Sequence, residues 1–79
     1  MVRPKILVVD DDLSVRELLQ SALSSLGDVQ TAEHAREARE KFYGDEFTVV
    51  LLDYRLPDTD GLTLLKEFKE LQPHIESSC

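Results

Sequence analysis

Two apolar runs dominate the sequence, and each is closed by aspartate. Lys5 to Val9 reads KILVV and is followed by Asp10, Asp11 and Asp12; Phe47 to Leu52 reads FTVVLL and is followed by Asp53. Continuous aliphatic and β-branched runs of this kind are typical of strands covered on both faces. Around them the apolar period changes. Val15, Leu18, Leu19, Ala22, Leu23 and Leu26 recur at helical spacing, with Arg16, Glu17 and Gln20 on the opposite side. Asp12 or Ser14 is placed to cap that helix, and Gly27 to end it. Val29 to Ala32 reads as a short strand. Ala35, Ala38 and Phe42 form a second helical stripe, with Arg36, Glu37, Arg39, Glu40 and Lys41 facing solvent and Gly44 as the stop. A loop from Tyr54 to Asp60 contains Pro57 and a DTDG turn. Leu62, Leu65, Phe68 and Leu71 then make a third amphipathic helix, closed by Pro73. The order β-α-β-α-β-α predicts an α/β fold with a parallel sheet and right-handed crossovers. The polar tail Glu76 to Cys79 is expected to fray.

Composition narrows the function. The 79 residues allow one small domain, and 42% hydrophobic residues are ordinary for a globular chain rather than a disordered one. A net charge of −7 argues against a surface that binds nucleic acid through phosphate. The single cysteine, Cys79, excludes an internal disulfide framework and a cysteine-rich zinc site. No apolar run approaches the length of a membrane span, and Asp10 interrupts any signal-peptide core behind Met1 to Lys5. A cytoplasmic protein is expected. The negative charge is uneven. Asp10, Asp11, Asp12, Asp53, Asp58 and Asp60 lie in two clusters, and without them ten acids face nine bases.

The two clusters point to one site. Ligands of open parallel sheets bind outside the carboxyl ends of the strands. Asp10 and Asp11 follow the first strand and Asp53 the third, so all three fall at the same edge. Neighbouring carboxylates repel, which raises their pKa values and costs stability. A hard divalent cation with oxygen ligands relieves this, and Mg²⁺ suits two carboxylates, a carbonyl and waters. Turn and cap roles suffice for Asp12, Asp58 and Asp60. They do not explain two buried strands that both end in aspartate.

KILVVDDD, VVLLDYRLPDTDG and the helix patterns between them resemble the receiver domain of two-component response regulators, over roughly Lys5 to Ile75. The resemblance implies a CheY-like, flavodoxin-like doubly wound sheet, of which this chain holds the (βα)3 portion in strand order 2-1-3. It implies that Asp53 is the phospho-acceptor. Asp10 and Asp11 become the acidic pair that organises Mg²⁺, with Arg16 at its usual offset, and the backbone carbonyl of Arg55 a further ligand. Pro57, Asp60 and Gly61 shape the loop and start the third helix. The partner implied is a sensor histidine kinase or phosphotransfer protein carrying phosphohistidine. The chain is then a signalling module rather than an enzyme.

Residues 1–79 depart from that family in length: the fourth and fifth βα units are absent. So are the hydroxyl residue after strand four and the lysine after strand five; Lys66 and Lys69 lie on the third helix, and Ser77 and Ser78 on the tail. The third strand is left as an open apolar edge, TVVLL, where self-association as a dimer is expected. Arg55 stands beside the acceptor, where it either contacts a phosphoryl group or is simply solvated.

Other readings fit less well. Asp58, Asp60, Gly61 and Glu67 match an EF-hand at loop positions 3, 5, 6 and 12, but Leu56 at position 1 cannot ligate. An aspartyl-phosphate phosphohydrolase wants a second aspartate where Arg55 stands. A pseudo-receiver, a structural dimerisation module with a vestigial metal site, is the remaining alternative. His34 and His74 are read as surface residues, Phe42 as core, Tyr43 as a helix end and Cys79 as a bystander.

Overall fold

The protein is described here by a computed structural model covering residues 3–53, 56–73 and, for the backbone, 76–78. Four parallel strands form one sheet: β1 (Lys5–Val9), β2 (Asp28–Ala32), β3 (Val49–Leu52) and β4 (Glu76–Ser78), in the order β2-β1-β3-β4. The first three strands and their order are those the sequence predicts. β1 is central and buried throughout its KILVV run after Lys5, which is why its apolar residues do not alternate. β2 lies at the sheet edge, and its DVQTA alternates between exposed and half-buried positions before Ala32. An edge strand needs few apolar residues, hence its faint sequence signal. β3 begins at Val49, two residues later than expected. Phe47 is buried ahead of it, and Thr48 donates its amide to the Lys5 carbonyl at 2.8 Å.

Three helices alternate with these strands: α1 (Leu13–Leu23), α2 (Ala35–Tyr43) and α3 (Gly61–Leu71). Leu7 and Val9 of β1 and Val50 and Leu52 of β3 share one core with Ala35, Ala38 and Phe42 of α2 and Leu64 and Phe68 of α3. The alternate strand residues, Ile6, Val8, Val49 and Leu51, point to the other face, toward α1. That face is thinly covered. No residue of α1 is fully buried; Val15, Leu19 and Leu23 are half-buried, whereas Leu18 is 68% exposed.

Several local expectations are corrected. α1 ends at Ser24, not at Gly27. Gly27 is needed for close approach instead: a Cβ there would sit 2.9 Å from Pro4 Cγ and closer still to the Pro4 carbonyl oxygen. The α3 stripe is rotated toward Gly61, Leu64 and Phe68, leaving Leu62 and Leu71 exposed, because the sheet covers only one side of a broad apolar surface. Arg16, expected on the solvent side of α1, has a side chain only 12% exposed. His34 is not a free surface residue: its Nδ1 accepts the Glu37 amide at 3.2 Å as the α2 cap. The tail does not simply fray, since Glu76 to Ser78 pair with β3 from Val49 to Leu51. The third-strand edge is therefore occupied over those residues, and the expected dimer loses the open edge assigned to it.

Candidate metal centre

The parallel ladder positions the acidic residues. Val9 is level with Ala32 on one side and Leu52 on the other. One step further, the Asp10 amide donates to the Ala32 carbonyl at 3.0 Å and the Asp53 amide to the Val9 carbonyl at 2.9 Å. Both residues thus leave the sheet at the same edge with fixed backbones. Asp11 follows in the β1–α1 loop. One carboxylate oxygen from each of Asp10, Asp11 and Asp53 lies within 4.8 Å of the other two. The convergence expected from sequence is present.

Local bonds decide which acids remain for this cluster. Asp12 caps α1, its Oδ1 accepting the amides of Ser14 at 2.8 Å and Val15 at 3.4 Å. Asp60 caps α3 by accepting the Leu62 amide at 2.9 Å. Asp58 caps a helix it does not precede: its two oxygens accept the amides of Ala35 at 2.8 Å and Arg36 at 3.0 Å, at the start of α2. The six acids therefore divide evenly, three to helix N-termini and three to the cluster.

Asp10 carries the electrostatic cost. Burial raises its pKa above the ordinary value, the Asp12 amide opposes that, and the charges of Asp53, Asp11 and Asp12 raise it further. The Asp12 amide donates to Asp10 Oδ1 at 2.9 Å, which fixes the carboxylate plane. Arg16 Nη1 donates to the Asp10 backbone carbonyl at 2.7 Å, and Nη2 lies 3.6 Å from Glu33 Oε2. Beside the cluster is an open groove of about 290 Å³, lined by Val8, Val9, Leu19, Leu51 and Leu52 with Asp10 and Asp53 at its end. Its apolar walls lower the local dielectric and strengthen the repulsion.

The donor set fits a small hard cation. Octahedral Mg²⁺ holds oxygens at about 2.1 Å, so adjacent ligands lie about 3 Å apart and opposite ones about 4.2 Å. Three carboxylate oxygens already within 4.8 Å of one another are near enough for side-chain adjustment to bring them onto one such ion. Arg55, whose carbonyl is a further expected ligand, lies outside the described residues, as do His74 and Cys79. Lys66 and Lys69 are exposed on α3. Sequence reasoning used Arg16 only to set the register of the acidic pair and read Asp58 as a turn or cap residue; it did not single out Glu33, or find that Arg16 bonds the Asp10 carbonyl and Asp58 the α2 amides. Asp58 gave no local signal, because its partners lie 22 and 23 residues away.

Comparison with known proteins agrees with this geometry. The family described as "Response regulator receiver domain" matches residues 6–77. The response regulator protein PilR of Pseudomonas aeruginosa is 39% identical over 74 residues, which is 92% of this chain and 17% of PilR. The structure of the BeF3-activated DrrB receiver domain aligns with a TM-score of 0.90 and 32% identity, over 98% of this chain and 63% of that one. The response regulator TrrA of Thermotoga maritima, solved in complex with Mg²⁺-BeF, aligns with a TM-score of 0.86 and 35% identity, over 94% of this chain and 65% of that one. The chain thus spans about a sixth of PilR and under two thirds of these two solved chains. A β-α-β-α-β-α order, a 2-1-3 arrangement of the first three strands and three carboxylates at their carboxyl ends are accounted for together: the chain belongs to the receiver domain family of two-component response regulators.

Proposed function

We propose that Asp53 is the phospho-acceptor of this receiver and that Asp10, Asp11 and Asp53 hold Mg²⁺, with the backbone carbonyl of Arg55 as a further ligand. The observation that carries the reading is the convergence of three carboxylate oxygens within 4.8 Å, at a place fixed by the sheet register. The Mg²⁺-BeF complex of TrrA supports it, because TrrA aligns over 94% of this chain.

In this reading one Asp53 carboxylate oxygen attacks the phosphorus of a phosphohistidine on a sensor kinase or phosphotransfer protein. The O–P bond forms as the N–P bond breaks, and the imidazole leaves with the electron pair. When bound, Mg²⁺ would offset negative charge on the carboxylates and the phosphoryl oxygens. Asp10 is held in plane by the Asp12 amide, and Asp53 is fixed in direction by its ladder bond to Val9. The product is an acyl phosphate, so the module stores a signal and at most catalyses its own phosphorylation and dephosphorylation. We place it in the cytoplasm, where such a kinase presents its phosphohistidine; no helix among the described residues is long and apolar enough to cross a membrane. In domain terms residues 1–79 are the first three βα units of a receiver plus the opening of a fourth strand. No observation favours the pseudo-receiver alternative.

The test is labelling with acetyl phosphate and Mg²⁺, followed by peptide mapping. The reading expects a hydroxylamine-sensitive phosphoryl group on Asp53 that is absent with chelator and in Asp53→Asn. Mg²⁺ binding without a label at Asp53 would contradict the acceptor role and leave a metal-binding remnant.

A further inference from the structure

Asp58 is unusual among the capping residues, because it serves a helix distant in sequence. It belongs to the segment leading from Asp53 into α3, yet its carboxylate grips the first two amides of α2. Those amides sit just beyond Ala32, whose carbonyl accepts the Asp10 amide at 3.0 Å. The turn between β2 and α2 is held to the Asp10 loop a second time: Arg16 donates to the Asp10 carbonyl and pairs with Glu33 at 3.6 Å. Glu37 Oε1 accepts the Glu33 amide at 2.8 Å and stiffens the turn from within. Residues 32–36 therefore form a brace, bonded on one side to Asp10 and Arg16 and on the other to Asp58.

We propose that Asp58 is a positioning residue: through the β2–α2 turn, its clasp on the α2 N-terminus sets the position of the loop that carries Asp10 and Asp11. Asp58 is not a ligand. A small cation is sensitive to the spacing of its oxygen ligands, and packed elements transmit small shifts to them. The brace is a matter of geometry alone. Its consequence for metal affinity rests on the metal-centre reading above, so the two need separate readouts.

The experiment compares Asp58→Ala, Asp58→Asn and Arg16→Gln with the parent chain by ¹H–¹⁵N NMR, first without metal and then through a Mg²⁺ titration. Folding of each variant is checked by circular dichroism. Without metal, Asp58→Ala is expected to shift the amide resonances of Asp10 and Asp11, neither of which Asp58 touches. With Mg²⁺, the dissociation constant is expected to rise roughly threefold to tenfold, below the effect of losing a group bonded directly to a ligand. Asp58→Asn keeps one acceptor oxygen and should fall between. Combining Asp58→Ala with Arg16→Gln should cost no more than the worse single change, because both break one chain of contacts. A merely structural cap would lower stability and leave the folded-state amides and affinity unchanged, which overturns the proposal. Additive losses in the double variant also overturn it. If the parent chain binds no Mg²⁺, the metal reading fails and the metal-free amide shifts decide the brace. If Asp58→Ala does not fold, Asp58→Asn decides it by the same shifts.

Discussion

The ring of Phe68 lies stacked on that of Phe42, with 3.9 Å between centroids and 13° between planes. This contact joins α3 to α2 toward the end of the sheet opposite the acidic edge, and Phe47 extends it, 6.2 Å from Phe42. Truncating Phe68 to alanine is expected to cost about 3–5 kcal/mol, enough to unfold much of a domain this small. Leu62→Ala, on the same helix but 45% exposed, should cost under about 1 kcal/mol. Urea denaturation followed by circular dichroism separates the two. Equal costs would mean that α3 is seated on its other face.

Gly27→Ala is expected to destabilise by about 1–3 kcal/mol, although Gly27 has an ordinary backbone conformation. The methyl group would meet Pro4 and force β1 and β2 apart at their starts. Gly44→Ala should be close to neutral, since the nearest atom to a Cβ there is the Glu40 carbonyl oxygen at 3.5 Å. The difference in urea midpoint between these two variants is the check.

Asp58 and Glu67 make stability fall in acid. Burial alone would raise the Asp58 pKa, but the Ala35 and Arg36 amides outweigh it and the value is lowered. Glu67 is lowered by its hydrogen bond from Arg39, at 3.0 Å to Oε2, against an opposing burial effect. A carboxyl lowered on folding contributes stability above its unfolded pKa, and that contribution is lost as pH falls through the folded value. Urea midpoints measured between pH 7 and pH 3 should therefore fall most steeply below the ordinary carboxylate pKa. Asp58→Asn and Glu67→Gln should each flatten the fall; a variant that keeps the parent slope would remove that residue from the explanation.

Asp10 has the opposite sign. Its pKa is raised by burial and by Asp53 and Asp11, so its charged form costs stability at neutral pH. Asp10→Asn should raise the metal-free urea midpoint while removing most of the stabilisation that Mg²⁺ confers on the parent chain. A lowered midpoint without metal would mean that the hydrogen bond from Asp12 outweighs the repulsion.

The parts of this molecule legible in sequence are those set by local pattern. KILVV and VVLL announce central strands because they are apolar on both faces. Asp12, Asp60 and Gly44 act within a few residues of themselves, and the acidic edge follows from strand order alone. What sequence hid depends on distant partners. Arg16 looks like an exposed helix residue until the Asp10 carbonyl is placed beside it. Asp58 looks like a turn residue until α2 arrives above it. The tail looks frayed because Glu76 to Ser78 lack apolar pattern, and a strand three residues long is held by backbone bonds to β3 rather than by composition. The rotation of α3 depends on how much of its stripe the sheet can reach, which no period reveals.

The central claim is that Asp10, Asp11 and Asp53 form one cation site. A Mg²⁺ titration of the parent chain, Asp11→Asn and Asp53→Asn, read from backbone amide shifts, tests it directly. The account predicts one saturable site per chain, with the largest shifts clustered at residues 10–12 and 53, and loss of saturation in both variants. Saturable binding that survives either substitution, or shifts spread evenly over the acidic surface, would contradict it.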